Sequence, residues 1–223
     1  MSTPPRAQPQ AGTTPPRRII TRQDPGTRRQ DLLQVTVGCL ARLGPQGTTG
    51  REICRQAGVS HGLLRHYFAN PQNLLLETYE EVCRQVIARL RARLDEDADA
   101  ADAWGAMDRF LETLFAPEAA SSDMLGAWLA FWSLVRANPE FTARNEAFNA
   151  ELRALLRTAM DRLIPCGARA GTADDPSLGE VQAIMTAIIN GLWLEVCLSP
   201  DSASRERAIA RCKTSLRRLL PAA

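Results

Sequence analysis

An all-α fold is predicted, on three observations. Apolar residues recur at spacings of three and four in segment after segment from Arg28 onward. No stretch alternates polar and apolar residues for the length of a strand. Gly and Pro, 14 each in 223 residues, are too few for a fibrous or wholly disordered chain. Several of them stand between the periodic segments, where helices stop.

The elements follow in order. Residues 1–27 hold six Pro and almost nothing to bury, so they are expected to be a disordered basic arm. Such an arm either has no role or touches DNA phosphates or the minor groove. Leu33, Val37 and Leu40 make the first helical stripe, closed by Gly44-Pro45. Thr49 to Glu52 has the form of a capping box, the hydroxyl taking an amide three residues on and the carboxylate returning. A short helix carrying Ile53 and Ala57 stops at Gly58. Ser60 caps the next one, from His61 to Tyr67, and Asn70-Pro71 starts another.

That last helix carries Leu75, Tyr79, Val82, Val86 and Leu90, which predicts about 20 residues. The Ala-rich acidic run Asp95–Asp102 ends it. A stripe from Trp104 to Phe115 follows, then Met124–Ala137, and a helix from Asn138-Pro139 to about Ile164. A loop is expected over Pro165–Pro176, with two more helices over Ser177–Leu198 and Ser202–Leu220. The division expected is an arm (1–27), a first helical domain (28–74) and a second helical domain (75–223).

Charge is uneven. Residues 1–70 carry ten Arg against Asp24, Asp31 and Glu52, although the whole chain nets only +2. A basic first third on a mildly acidic body suits contact with a polyanion at one end. The six Cys form no CxxC pair and only two His are present, so neither a metal site nor a cofactor is expected. Cys39, Cys54, Cys83 and Cys197 read as small core residues, which fits a reducing cytoplasm. The longest nearly apolar run, Ala127–Val135, is far below the roughly 20 residues of a membrane span, so no membrane partner is expected.

The segment Thr49–Phe68 reads as a helix-turn-helix. Ile53, Ala57, Val59 and Leu64 would hold two short helices at a steep angle around the Ala57–Ser60 turn. The second helix could then enter a major groove about 12 Å wide. His61 and Arg65, four apart, share a face, and Arg65 suits a guanine edge or a phosphate. Thr49, Gly50 and Arg51 open the first helix, where amides favour phosphate. Ser60, Gly62, Leu63, His66 and Tyr67 complete the expected DNA-binding set. Both His lie here, so no His-based catalytic triad can exist elsewhere. No Gly-rich phosphate loop or G-x-S-x-G is present, so no catalytic residue is expected.

At these residues the chain resembles the TetR family of bacterial repressors. The carriers are Thr49-x-x-x-Ile53, Ala57-Gly58-Val59-Ser60, Leu64-x-His66-Tyr67-Phe68 and Leu74-Leu75. Two further blocks, Ala127-Trp128-Leu129-Ala130-Phe131-Trp132 and Asn190-Gly191-Leu192-Trp193-Leu194, are similar to the BetI-like, choline-responsive subgroup. The resemblance spans about Arg28 to Leu220. It implies a homodimer that binds a double-stranded DNA operator through an N-terminal three-helix domain and a small-molecule effector through a C-terminal domain. Two departures stand out. Ala69-Asn70-Pro71-Gln72 occupies the place where the family has a Lys or other polar group near phosphate. Asn190 replaces an Asp before Gly-Leu-Trp-Leu.

Trp128, Phe131 and Trp132, spaced i, i+3 and i+4, are expected on one helix face, with Trp193 arriving from another helix. They read either as core or, with Asn190, as a cage for a quaternary ammonium ion. Choline or betaine aldehyde is the effector the resemblance implies. Glu195 and Glu112 are candidates for a counter-charge. A more apolar metabolite remains the alternative effector. An all-α enzyme or an adaptor without DNA binding is the alternative of another class. The last two helices, with Gly191 permitting close approach, are the expected dimer surface.

Overall fold

In a computed structural model, residues 25–164, 177–199 and 201–220 are described. These residues form nine helices and no strand. The helices are α1 (Pro25–Gly47), α2 (Gly50–Ala57), α3 (His61–Tyr67), α4 (Pro71–Glu96), α5 (Ala103–Leu114), α6 (Ser122–Ala137), α7 (Pro139–Asp161), α8 (Leu178–Leu198) and α9 (Ser202–Leu219). The expected loop 165–176 and residues 1–24 of the expected arm lie outside the described residues. Residues 25–27, assigned to the arm from composition, are the first turn of α1.

Local chemistry sets most of the ends. Thr49, Ser60, Asn70, Asp102, Ser121, Asn138 and Asp201 each accept an amide of the first turn that follows. Each such cap is worth about 1 kcal/mol. Gly58 closes α2 at φ 65° and ψ 34°, a left-handed conformation that a side chain would strain. Gly44 breaks α1 at φ 65°, and a short turn carries the helix on to Gly47.

Two terminal details differ from expectation. The capping box at Thr49 is half formed. Its hydroxyl takes the Glu52 amide at 3.2 Å, but the Glu52 carboxylate is held by Arg55 at 2.8 Å and Gln56 at 2.8 Å instead of returning. The complete box is at α8, where Ser177 and Glu180 exchange bonds of 2.7 and 3.3 Å. α4 is 26 residues long, taking in Asp95 and Glu96, and an Arg93–Glu96 bridge of 2.7 Å supports its last turn.

Three apolar clusters organise the packing. Leu32, Leu33, Cys39, Ile53, Cys54, Leu64, Phe68 and Leu74 unite α1, α2, α3 and the start of α4. A second cluster joins Leu40 of α1 to Tyr79 and Val82 of α4, Trp128 and Phe131 of α6, and Phe141 of α7. The third and largest fills the space among α4, α5, α7, α8 and α9. The expected division at residue 74 therefore falls inside one continuous helix, α4.

α8 departs from the expectation that no segment could span a membrane. By length and composition it is long and apolar enough, with a mean hydropathy of 1.6 over its most apolar window. In this fold Val181, Met185, Ile189, Val196 and Cys197 pack into the third cluster. Its other face leaves Ile184, Leu194 and Leu198 exposed.

Candidate functional site

The DNA-facing candidates form one continuous surface. A Cβ placed on Gly50 would lie 3.5 Å from Leu64, 3.8 Å from His61 and 3.9 Å from Pro71. The starts of α2, α3 and α4 therefore lie close together, and each has one first-turn amide taken by its cap, Thr49, Ser60 or Asn70. Thr49, Arg51, Ser60, His61, Gly62, Arg65 and His66 are exposed, and Gly50, Leu63 and Tyr67 are half-buried. At Gly62 a Cβ would meet only the Ser60 hydroxyl, at 3.7 Å, so folding does not require glycine there. A small residue at that point leaves the backbone open to a close partner.

The arginines of this end divide by their partners. Glu52 holds Arg55, and the hydrogen bonds from Arg55 and Gln56 pull the Glu52 carboxyl down to about 2. Arg29 pairs with Glu77 and lies 5.4 Å over the Phe68 ring, tying α1 to α4. Arg42 donates to Gln56. Arg51 and Arg65 have no carboxylate partner among the described residues. They are the cations of the α2–α3 surface left for a polyanion.

The aromatic candidates meet around a cavity of about 480 Å³ at the other end. Such a volume suits a small organic ligand. Trp128 and Trp132 come from α6, Phe148 from α7, and Asn190 and Trp193 from α8. Val86, Arg89 and Leu90 of α4 and Leu114 of α5 close it. Trp128 stacks on Phe148 at 5.4 Å and 27°, and lies 6.2 Å from Trp132. The Trp193 indole N–H donates to the Ala119 carbonyl at 3.0 Å, which fixes that ring. The Tyr79 hydroxyl donates to Asn145 Oδ1 at 2.9 Å, and burial pushes its pKa up.

Phe131 is not in the cavity wall. It is fully buried against Tyr79, 4.9 Å between ring centres, facing α1 and α4. Consecutive helical residues diverge by about 100° around the axis. Trp128 lies between the directions of Phe131 and Trp132, so the three rings cannot all face one cavity. Trp132 is 41% exposed at the rim, and Trp128 only 7%. Glu195 pairs with Arg211 at 3.1 Å and Glu112 is exposed outside the wall, so neither supplies a counter-charge. Trp104 lies under the Arg217 guanidinium at 4.8 Å, away from the cavity.

Three contributors were missed in the sequence. Phe148 and Arg89 sit on long helices whose solvated faces carry similar residues, and nothing in their spacing marks them. Gly126 is the third. A Cβ there would be 2.7 Å from the Ala41 carbonyl oxygen and 3.0 Å from its Cα. α6, which carries Trp128 and Trp132, therefore touches α1 backbone to backbone. Trp128 itself belongs to both the cavity wall and the cluster containing Leu40 of α1.

Residues 105–221 match the family described as BetI-type transcriptional repressor, C-terminal, and residues 32–78 match bacterial regulatory proteins of the tetR family. The chain is similar to the HTH-type transcriptional regulator BetI of Escherichia coli (strain K12), with 27% identity over 198 residues, 87% of this chain and 94% of that protein. It is similar to BetI of Vibrio vulnificus (strain YJ016) at 28% over 186 residues, 82% of this chain and 88% of that one. Its fold is similar to that of a transcriptional regulator from Pseudomonas aeruginosa PAO1, at 30% identity and a TM-score of 0.74, covering 89% of this chain and 97% of that one. It is also similar to that of a regulator from Saccharomonospora viridis solved in complex with choline, at 19% identity and a TM-score of 0.64, covering 86% and 95%. The chain belongs to the tetR family of bacterial regulatory proteins and carries a BetI-type transcriptional repressor domain at its C-terminal end.

Proposed function

We propose that this chain is a dimeric repressor whose grip on a DNA operator is set by a small quaternary ammonium compound in the tryptophan-lined cavity. The observation that carries the effector reading is the aromatic wall of Trp128, Trp132, Phe148 and Trp193. Aromatic faces attract alkylammonium ions by about 0.5–2 kcal/mol per contact. The choline of the Saccharomonospora viridis complex points to the same chemistry.

α3 would enter the major groove, with Arg65 and His61 toward base edges, while Thr49, Arg51 and Tyr67 would hold phosphates. Two copies would join through the exposed apolar stripe of α8, which includes Ile184, Gly191, Leu194 and Leu198, together with α9. Dimerisation sets the two α3 helices about one DNA turn, 34–36 Å, apart. A ligand against Trp128 shifts α6. The contact of Gly126 with Ala41 passes that shift to α1 and so to the spacing of the two reading helices, a change of populations between two states. Such a protein acts in the cytoplasm, where the operator is.

Footprinting on the DNA upstream of the chain's own gene tests this reading. A short near-palindrome should be protected, with affinity falling steeply as salt rises. Choline, betaine aldehyde and glycine betaine should be tried in turn, and at least one should release the DNA. Protection that ignores all three removes the effector reading. Arg65→Ala should cost about 1–3 kcal/mol of operator affinity. A loss confined to one base position assigns Arg65 to a guanine, and an equal loss on every sequence assigns it to phosphate.

A further inference from the structure

The effector cavity has a charge pattern that a simple cation does not match. Among the described residues Arg89, an exposed residue, is the only charged one in its wall, and no Asp or Glu lines it. Four arginines stand on the middle and end of α4. Arg84 pairs with Glu81, Arg91 with Glu151 and Arg93 with Glu96. Arg89, one helical turn below Arg93, has no carboxylate partner among the described residues. Asn190 and Asn149, also in the wall, offer amides and no charge.

A lone cation entering this cavity would meet the aromatic faces favourably and the guanidinium unfavourably. A ligand with both signs would satisfy both groups. A planar guanidinium binds a carboxylate through two parallel hydrogen bonds, a stronger and more directional contact than either partner makes with water alone. A wall with one unpaired guanidinium and four aromatic rings therefore favours a trimethylammonium head at the rings and a carboxylate at the arginine.

We propose that the effector is a quaternary ammonium carboxylate, a zwitterion of the betaine type, and that Arg89 selects it over the corresponding alcohol and aldehyde. This rests on the aromatic cage assigned above and adds the second half of the site. Discrimination between a carboxylate and a hydroxyl would come from Arg89, and discrimination between an ammonium and a tert-butyl head from the tryptophans.

Titration calorimetry on the full chain separates the two halves with four probes of similar shape: glycine betaine, choline, 3,3-dimethylbutanoate and 3,3-dimethylbutan-1-ol. Glycine betaine should bind at least tenfold more tightly than choline and more tightly than 3,3-dimethylbutanoate. Arg89→Gln should abolish the preference over choline while choline itself still binds. Arg89→Lys, which keeps the charge but not the planar fork, should restore part of it. Choline binding as tightly as glycine betaine overturns the role of Arg89 and leaves the cage intact. Equal binding of 3,3-dimethylbutanoate and glycine betaine overturns the zwitterion and the cage together, leaving a plain carboxylate site. Binding of none of the four overturns both readings.

Discussion

The two ends of this molecule are built in opposite ways. The DNA-facing end takes its candidate residues from one continuous segment, Thr49 to Tyr67, and displays them as exposed or half-buried groups on two short capped helices. The effector end gathers its wall from α4, α5, α6, α7 and α8, so residues more than a hundred positions apart face one another. A surface that meets a polyanion needs charge that is free and reachable. A cavity that selects a small ligand must be enclosed, which only several helices together can do. One end rests on a small core shared by α1, α2, α3 and the start of α4, with capped short helices over it, and the other on packing among helices far apart in the chain. α4 runs through both, and the contact of Gly126 with Ala41 also joins them.

The largest test of this contrast is alkali. Burial pushes Cys83, Cys197 and Cys212, all in the packed body, up to about 12 from 9.0. The folded state holds these protons more tightly than the unfolded chain does. The stability this supplies is whole below pH 9 and is lost as pH climbs toward 12, on the order of 4 kcal/mol per thiol at the top of that range. Denaturant melts followed by tryptophan fluorescence report this end alone, because all four Trp lie in it. Stability indifferent to pH from 9 to 12 would place those thiols in surroundings as wet as the DNA surface.

Next come the two tryptophans of α6. Trp128→Ala should cost about 3–5 kcal/mol in a urea melt, because the ring is enclosed and stacked. Trp132→Ala should cost less than about 1 kcal/mol, because the ring stands at the rim. Equal losses would erase the distinction between wall and rim.

The joint between the ends comes third. Gly126→Leu should force α6 from α1 at about 1–3 kcal/mol, since even a Cβ is too close to the Ala41 carbonyl. If the joint carries the signal, operator binding should also stop responding to effector. A variant that still responds moves the coupling to another contact, such as the buried Tyr79–Phe131–Phe141 group.

The smallest effect is at the DNA end. Ser60→Ala removes the hydroxyl that accepts the Leu63 amide at 3.2 Å and should cost about 1 kcal/mol by thermal melting. A cost as large as that of Trp128→Ala would make one surface cap as heavy a contribution as an enclosed ring of the packed body.

Sequence alone determined what depends on neighbours within about four residues. The stops at Gly44 and Gly58, the caps at Ser60 and Asn70, the Pro71 start and the stripes of the long helices are all set by such short-range interactions. The two short helices and the turn at Gly58 are a local motif, and their bounds were legible for that reason. Even a local pattern can be overruled by a competing partner. The Thr49 box stayed half closed because Arg55 and Gln56 claimed the Glu52 carboxylate. Tertiary structure decided which ring of α6 faces the cavity and which, Phe131, turns to the core. It also decided that Arg89 lines a cavity with no carboxylate among its described lining residues, and that Gly126 rests on Ala41. The physical reason is separation along the chain. Trp193 is fixed by a carbonyl 74 residues away and Tyr79 by an amide 66 residues away. Helical periodicity gives the direction of a side chain about its own axis, but the neighbour it meets is set by how the helices pack.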